Sequence, residues 1–175
     1  DVIPSLVDFN AKVRRPNGFR VLQPARDRVF LTPSGRAEFS HAPLHDEIPG
    51  DPDLLILQTF RSQDQWNTTI YDDDDRYRGV KNIRTLVFMH PDDMAARGIS
   101  EWQETSIEAI SKDGTRRVLD GFLAVGYNLP RGSAAGYMPE MNVLIGPADY
   151  STQSDQPLMK NVRVRIAPRT PNSSA

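Results

Sequence analysis

The stretch Leu86-Val87-Phe88-Met89-His90-Pro91-Asp92-Asp93-Met94-Ala95-Ala96-Arg97-Gly98 contains a strand and a helix with their boundaries marked. Four consecutive apolar residues predict a strand buried on both faces, because a strand with one wet face would alternate. Proline at a first helical position, acids in the first turn, arginine in the last and glycine beyond predict a short helix. Each suits the unpaired groups and the dipole at its end. His90 falls at or beside the cap. Upstream, Leu54-Leu55-Ile56-Leu57 is a second apolar run between polar residues and predicts another strand buried on both faces. Downstream, residues 105–110 and 116–125 are joined through Lys112-Asp113-Gly114, and Asp-Gly is a strong hairpin signal. Val162, Val164 and Ile166 alternate with Arg163 and Arg165, the pattern of a half-buried strand. Six or more short strands, one or two short helices and no internal repeat make a mainly β domain. A closed barrel or a sandwich is the natural architecture for such a set.

Residues 1–50 read differently. Pro4, Arg15-Pro16-Asn17-Gly18, Pro24, Pro33-Ser34-Gly35, Pro43 and Pro49-Gly50-Asp51-Pro52 set up one turn after another. We expect an extended lead-in or linker over 1–50, with a small hairpin where residues 29–31 and 37–39 flank Thr32-Pro33-Ser34-Gly35. The barrel is expected over 51–167 and a disordered tail over 168–175. The chain opens Asp1-Val2-Ile3-Pro4, without an initiator methionine or an apolar signal core, as a processed protein or an excised segment would.

Composition narrows the function classes. The chain has 175 residues with 21 Lys+Arg against 23 Asp+Glu, a net charge of −2. That balance gives no general pull toward nucleic acid or an anionic membrane. No apolar run approaches the ~18 residues of a membrane span. The absence of cysteine excludes disulfides, thiolate-held clusters and a thiol nucleophile within these residues. A cytoplasmic location is expected.

Three polar segments carry more chemistry than a connector needs. Residues 58–71 hold hydroxyls, amides and a guanidinium around two aromatics. Arginine and hydroxyls suit phosphate, amides suit ring edges and aromatics suit a ring face, although a loop satisfying its own backbone has the same composition. Residues 127–142 contain Arg131-Gly132-Ser133-Ala134-Ala135-Gly136-Tyr137, small enough for close backbone approach. They lack the lysine and the spacing of a P-loop, and read more readily as a flexible surface loop. Residues 149–160 end in Gln156-Pro157-Leu158-Met159-Lys160, where a lysine can meet a carbonyl or phosphate or simply be solvated. His41 and His45 have no third ligand in view, and Asp72-Asp73-Asp74-Asp75 lacks the spacing of a calcium loop.

The ordered set resembles a known family. Thr32-Pro33-Ser34-Gly35-Arg36-Ala37-Glu38-Phe39, then Thr59-x-Arg61 and Trp66-Asn67-Thr68-Thr69, then His90-Pro91-Asp92-Asp93-Met94-Ala95-x-x-Gly98-Ile99, then Asn142-Val143-Leu144 and residues 149–160, is similar to the C-terminal domain of bacterial molybdopterin oxidoreductases. The wording of residues 58–71 most resembles a formate-dehydrogenase-like branch. The resemblance implies a double-psi β-barrel, shared with aspartate decarboxylase, that binds molybdopterin guanine dinucleotide carrying molybdenum or tungsten. Carried over by position, Thr59, Arg61, Gln65, Asn67, Thr68 and Thr69 contact pterin, phosphate or nucleotide groups, with Asn142 and Lys160 on the other side of the pterin. Arg76 and Arg78 are second-rank candidates. Relatives often place histidine where Asn67 stands. The same resemblance implies that iron–sulfur cysteines, a protein ligand to the metal and a substrate funnel lie in upstream catalytic domains of a parent chain. An electron-transfer subunit is a possible further partner, and the isolated fragment is expected to be inactive and to hold no complete cofactor. A self-processing pyruvoyl decarboxylase on the same fold, cleaving at Gly132-Ser133, and a non-catalytic interaction module are the alternatives.

Overall fold

The computed structural model describes residues 3, 6–21, 23–41, 50–67, 70, 72–152 and 154–170. The chain divides into two compact units, residues 1–45 and 46–175. In the first, helices α1 (Phe9–Val13) and α2 (Pro24–Asp27) are one turn each, α2 opening on its proline. The Phe9 and Phe19 rings meet edge to face at 5.7 Å, and Arg20 pairs with Asp27 at 2.5 Å. Neither helix was legible in a segment read as extended. The expected hairpin is corrected. Its turn forms, with the Gly35 N–H donating to the Thr32 carbonyl at 3.0 Å, but no strand precedes residue 55 among the described residues. Leu31 and Phe39 are fully or nearly exposed, and a lone two-stranded ribbon with no face to bury is not stable.

The second unit is a closed barrel of six strands. In chain order its strands are β1 (Leu55–Phe60), β4 (Leu86–Met89), β5 (Glu104–Ile110), β6 (Arg116–Gly126), β7 (Ser133–Tyr137) and β8 (Val162–Pro168). The short pair β2 (Asp74–Asp75) and β3 (Val80–Lys81) forms a separate ribbon. Around the barrel the order is β1-β7-β4-β6-β5-β8. Two pairs are parallel, β1 with β7 and β4 with β6, and the other four are antiparallel. Closure leaves no free sheet edge, and two parallel crossovers in one six-stranded barrel are what the double-psi expectation requires.

The interior holds Leu55, Leu57, Val87, Met89, Ile107, Ala109, Phe122, Ala124, Ala134, Val164 and Ile166, closed by Met141 and Leu144. A second cluster of Leu86, Phe88, Val125, Ala135 and Tyr137 covers the other face of β4 and β7. Strand β4 is therefore buried on both faces, as its sequence predicts. For β1 that expectation is corrected: Leu55, Leu57 and Thr59 are buried while Ile56, Gln58 and Phe60 are half-buried. The strand faces the core on one side, and its apolar run does not reveal this.

Strand β7 is the other correction, since its residues read as a surface loop. Ser133 to Tyr137 instead lie between β1 and β4, and four of the five are buried. Gly136 explains the composition, because a Cβ there would run into the Met141 side chain. Helix α3 (Pro91–Ala96) forms as expected, with His90 Nδ1 accepting the Asp92 N–H at 3.0 Å. The β5–β6 hairpin turns through Gly114 at φ +82°, which suits glycine. Pro168 still belongs to β8, and residues 171–175 of the expected tail lie outside the described residues.

Candidate functional site

Barrel topology decides which segments meet. Phe60 pairs with Tyr137, Val87 with Gly136 and Leu57 with Val162. The ends of β1 and β7 and the beginnings of β4 and β8 therefore share one end of the barrel. The segments leaving β1 and entering β8, flagged separately in the sequence, are brought together there. The middle segment is split. Pro139 to Asn142 lie at this end, whereas residues 127–132 lie at the opposite one, where Gly132 N–H and Arg131 Nε donate to the buried Asp93 carboxylate at 2.7 and 3.3 Å. The Gly132–Ser133 pair is thus built into the far end of the barrel, with Ser133 in register with Ile56.

Thr59 is fully buried, and its hydroxyl donates to the Met159 carbonyl at 2.7 Å, tying the end of β1 to the approach of β8. The neighbouring Lys160 ammonium donates to the Thr59 carbonyl. Partial removal from water, with Arg61 nearby, holds the Lys160 pKa below its ordinary value. Lys160 also borders a cleft of about 440 Å³ with Lys112, Asp149, Leu158, Asn161 and Arg163. Burial raises the Asp149 carboxyl, but N–H groups of Lys112 and Gly146 and the Ser111 hydroxyl more than offset it, leaving the pKa low. Among the described residues of 59–71 none lines this cleft, and Arg61 acts on it through its charge on Lys160. The Ile110 to Lys112 wall was not flagged in the sequence, since it reads as the end of an ordinary hairpin strand.

Other candidates are placed as follows. Gln65 is 7% exposed and wholly committed to the protein: its Nε2 donates to the Asn67 and Met138 carbonyls at 3.0 and 2.8 Å, and its Oε1 accepts the Ser62 N–H at 3.1 Å. It shapes the loop and offers no free side-chain group to a ligand. Asn67 is exposed in the left-handed region at φ +59°, and Thr68 and Thr69 lie outside the described residues. Arg76 is exposed, donating to Gln63 at 3.1 Å. Arg78 lies 3.9 Å from the Phe60 ring centroid and pairs with buried Asp75 at 2.5 Å. Asp75 also accepts the Tyr137 hydroxyl at 2.8 Å; burial first, then this carboxylate, pushes the Tyr137 phenol up. Asn142 is half-buried, with its side-chain oxygen sealed from solvent and unpaired.

Arg84 was missed. It is 8% exposed and donates to Ser62 Oγ, Gln65 Oε1, the Met138 carbonyl and both oxygens of Glu140, at 2.6 to 3.2 Å. Nothing in Lys81-Asn82-Ile83-Arg84-Thr85 distinguishes it from a solvated arginine flanking a strand.

The donor set of this end, guanidinium and ammonium groups beside amides and an exposed Trp66, suits an anionic heteroaromatic ligand. Among the described residues no group of three or more His, Cys, Asp or Glu can hold a metal ion, and no helix is long and apolar enough to cross a membrane.

Comparison with known proteins gives the same family. The model of the molydopterin dinucleotide binding domain matches residues 55–163. An uncharacterized oxidoreductase of Mycobacterium bovis is 44% identical over 174 residues, and protein YdeP of Escherichia coli K12 is 34% identical over 171. Each alignment covers 95% of this chain but 22% of the relative, so the chain spans under a quarter of the length of the relatives it matches. Acetylene hydratase from Pelobacter acetylenicus aligns over 75% of this chain and 21% of its own, at 16% identity and a TM-score of 0.49. With residues 55–163 matched, the chain belongs to the molydopterin dinucleotide binding domain family.

Proposed function

We propose that this chain is the part of a larger formate-dehydrogenase-like oxidoreductase that holds molybdopterin guanine dinucleotide against one end of its barrel. The carrying observation is the basic cleft at this end, which Lys112, Lys160 and Arg163 line and where the partly buried Lys160 has its pKa lowered by burial first and by the charge of Arg61 second. Like charges gathered at one end repel one another and favour an anion among them, so the site suits phosphate or an electron-rich pterin edge. The bound cofactor supplies the metal, through its dithiolenes, and the redox chemistry. This chain's residues bind and orient: Arg61 and Lys160 balance charge, Asn67 and Asn142 offer amides, and Gln65 holds the loop in shape. Upstream domains supply the remaining walls, and an electron-transfer subunit is the partner for redox turnover.

The test uses the whole parent enzyme with Arg61→Ala, Lys160→Ala and both together. Each lost charge-assisted contact is worth about 1.5–3 kcal/mol, roughly tenfold or more in affinity. Cofactor content is read as released pterin, GMP after acid hydrolysis and bound molybdenum or tungsten. We expect each single variant to purify largely depleted and the double to be almost empty. A parent enzyme that purifies folded and without pterin, or that yields another nucleotide than GMP, overturns the assignment. Formate-dependent dye reduction tests the substrate.

A further inference from the structure

The Arg84 guanidinium is buried, yet it joins the two segments that frame the candidate site. Its guanidinium holds Ser62 and Gln65 of the loop leaving β1, at 2.9 and 3.1 Å. The same group holds the Met138 carbonyl and the Glu140 carboxylate of the segment leaving β7, at 2.9 and 2.6 Å. Glu140 opens the 3₁₀ helix Glu140–Leu144, which carries Asn142. Gln65 passes the constraint on to the carbonyls of Asn67 and Met138. The guanidinium also lies 4.7 Å from the Tyr137 ring centroid, which fixes its plane.

We propose that Arg84, paired with Glu140, is a positioning residue that sets the distance between the loop bearing Arg61 and Asn67 and the helix bearing Asn142, and so presets both sides of the cofactor site. The proposal rests on the function given above. Side-chain exposures of 7% for Arg84 and 18% for Glu140 make this a desolvated pair. Taking two charges out of water is costly, and an apolar pair of similar volume often serves the fold as well or better. What an apolar pair cannot supply is a planar fork with donors aimed at acceptors on four separate residues. The ion pair is therefore a device for orientation rather than for stability.

Two replacements in the full-length parent separate these roles. Arg84→Met with Glu140→Leu keeps the volume and removes the fork, and Arg84→Lys keeps the charge without the fork. Cofactor-free enzyme is loaded at a fixed, subsaturating cofactor concentration, and amide hydrogen exchange is followed in the same samples. We expect a loss of loading of about tenfold to a hundredfold in the double variant, as a misplacement of about 1 Å produces. Arg84→Lys loses loading in the same direction, by less. Exchange at Ser62 and Gln65 speeds up in both while β4 stays protected, which a purely structural role would not give. If Arg84→Lys loads as the parent does, or its loop amides exchange no faster, the proposal falls, whether or not the double variant folds. Lys160→Ala serves as the reference. Loss of loading there with normal loading in the Arg84 variants overturns the positioning role alone, whereas normal loading in Lys160→Ala overturns the site itself.

Discussion

Lys160 experiences two influences that both favour its neutral form: partial removal from water, then the charge of Arg61. Its folded pKa therefore lies below the 10.5 of an unperturbed lysine. Between those two values the unfolded chain binds more protons than the folded one, so stability rises as pH climbs through that window. Below it both states are charged and the folded protein carries the full penalty. Lys160→Met removes the titrating group. We expect urea unfolding of the variant to lose this rise as pH approaches 10.5 from below, while the unsubstituted chain shows it. Identical pH profiles would mean that Lys160 is not perturbed. An anionic ligand reverses the sign, drawing the pKa back up, so binding within the window takes up a proton. The lysine was legible only through the ordered family motif; by itself a lysine before a strand looks solvated. Arg84 was not legible at all, because its significance lies in acceptors supplied by residues 62–65 and 138–140.

Among the elements, β7 shows why some of the barrel could not be read. Strands β4, β5, β6 and β8 announce themselves through apolar runs, a hairpin turn or alternation, each a local consequence of burial. Ser133-Ala134-Ala135-Gly136 has neither β-branched residues nor alternation, and its extended form is imposed by β1 on one side and β4 on the other. Its small residues answer to a neighbour distant in the chain, since Met141 occupies the space a Gly136 side chain would need. Gly136→Ala should therefore overpack the barrel and cost about 1–3 kcal/mol in urea unfolding. Adding Met141→Ala opens room for the new methyl, so the two substitutions together should cost less than their sum by about 0.5 kcal/mol or more. Strict additivity would place the strain elsewhere. The same contact links the barrel wall to the helix carrying Asn142, so the double variant also loosens one side of the site.

For the whole molecule, a net charge of −2 conceals a separation of charge that the topology creates. Arg61 after β1, Lys112 after β5, and Lys160 and Arg163 at the start of β8 come from three separate parts of the chain and gather where β1 and β5 end and β8 begins. Arg169, at the opposite end of β8, is paired with Glu104 at 2.8 Å. A local basic field attracts an anionic cofactor before contact, and salt weakens it as the Debye length shrinks from about 10 Å at 0.1 M to about 3 Å at 1 M. Loading of the cofactor-free parent enzyme should accordingly slow by roughly tenfold between about 0.05 and 0.5 M salt, with most of the effect in the association rate. Arg163→Ala removes a charge from the cleft without touching Thr59, Gln65 or Arg84, so it should slow loading at low salt and flatten the salt dependence. Arg169→Ala makes the same change in net charge at the far end and should leave both nearly as they were. Stopped-flow loading of the three proteins decides the matter: equal slopes for the two variants would show that only total charge counts, and that the barrel end exerts no pull of its own.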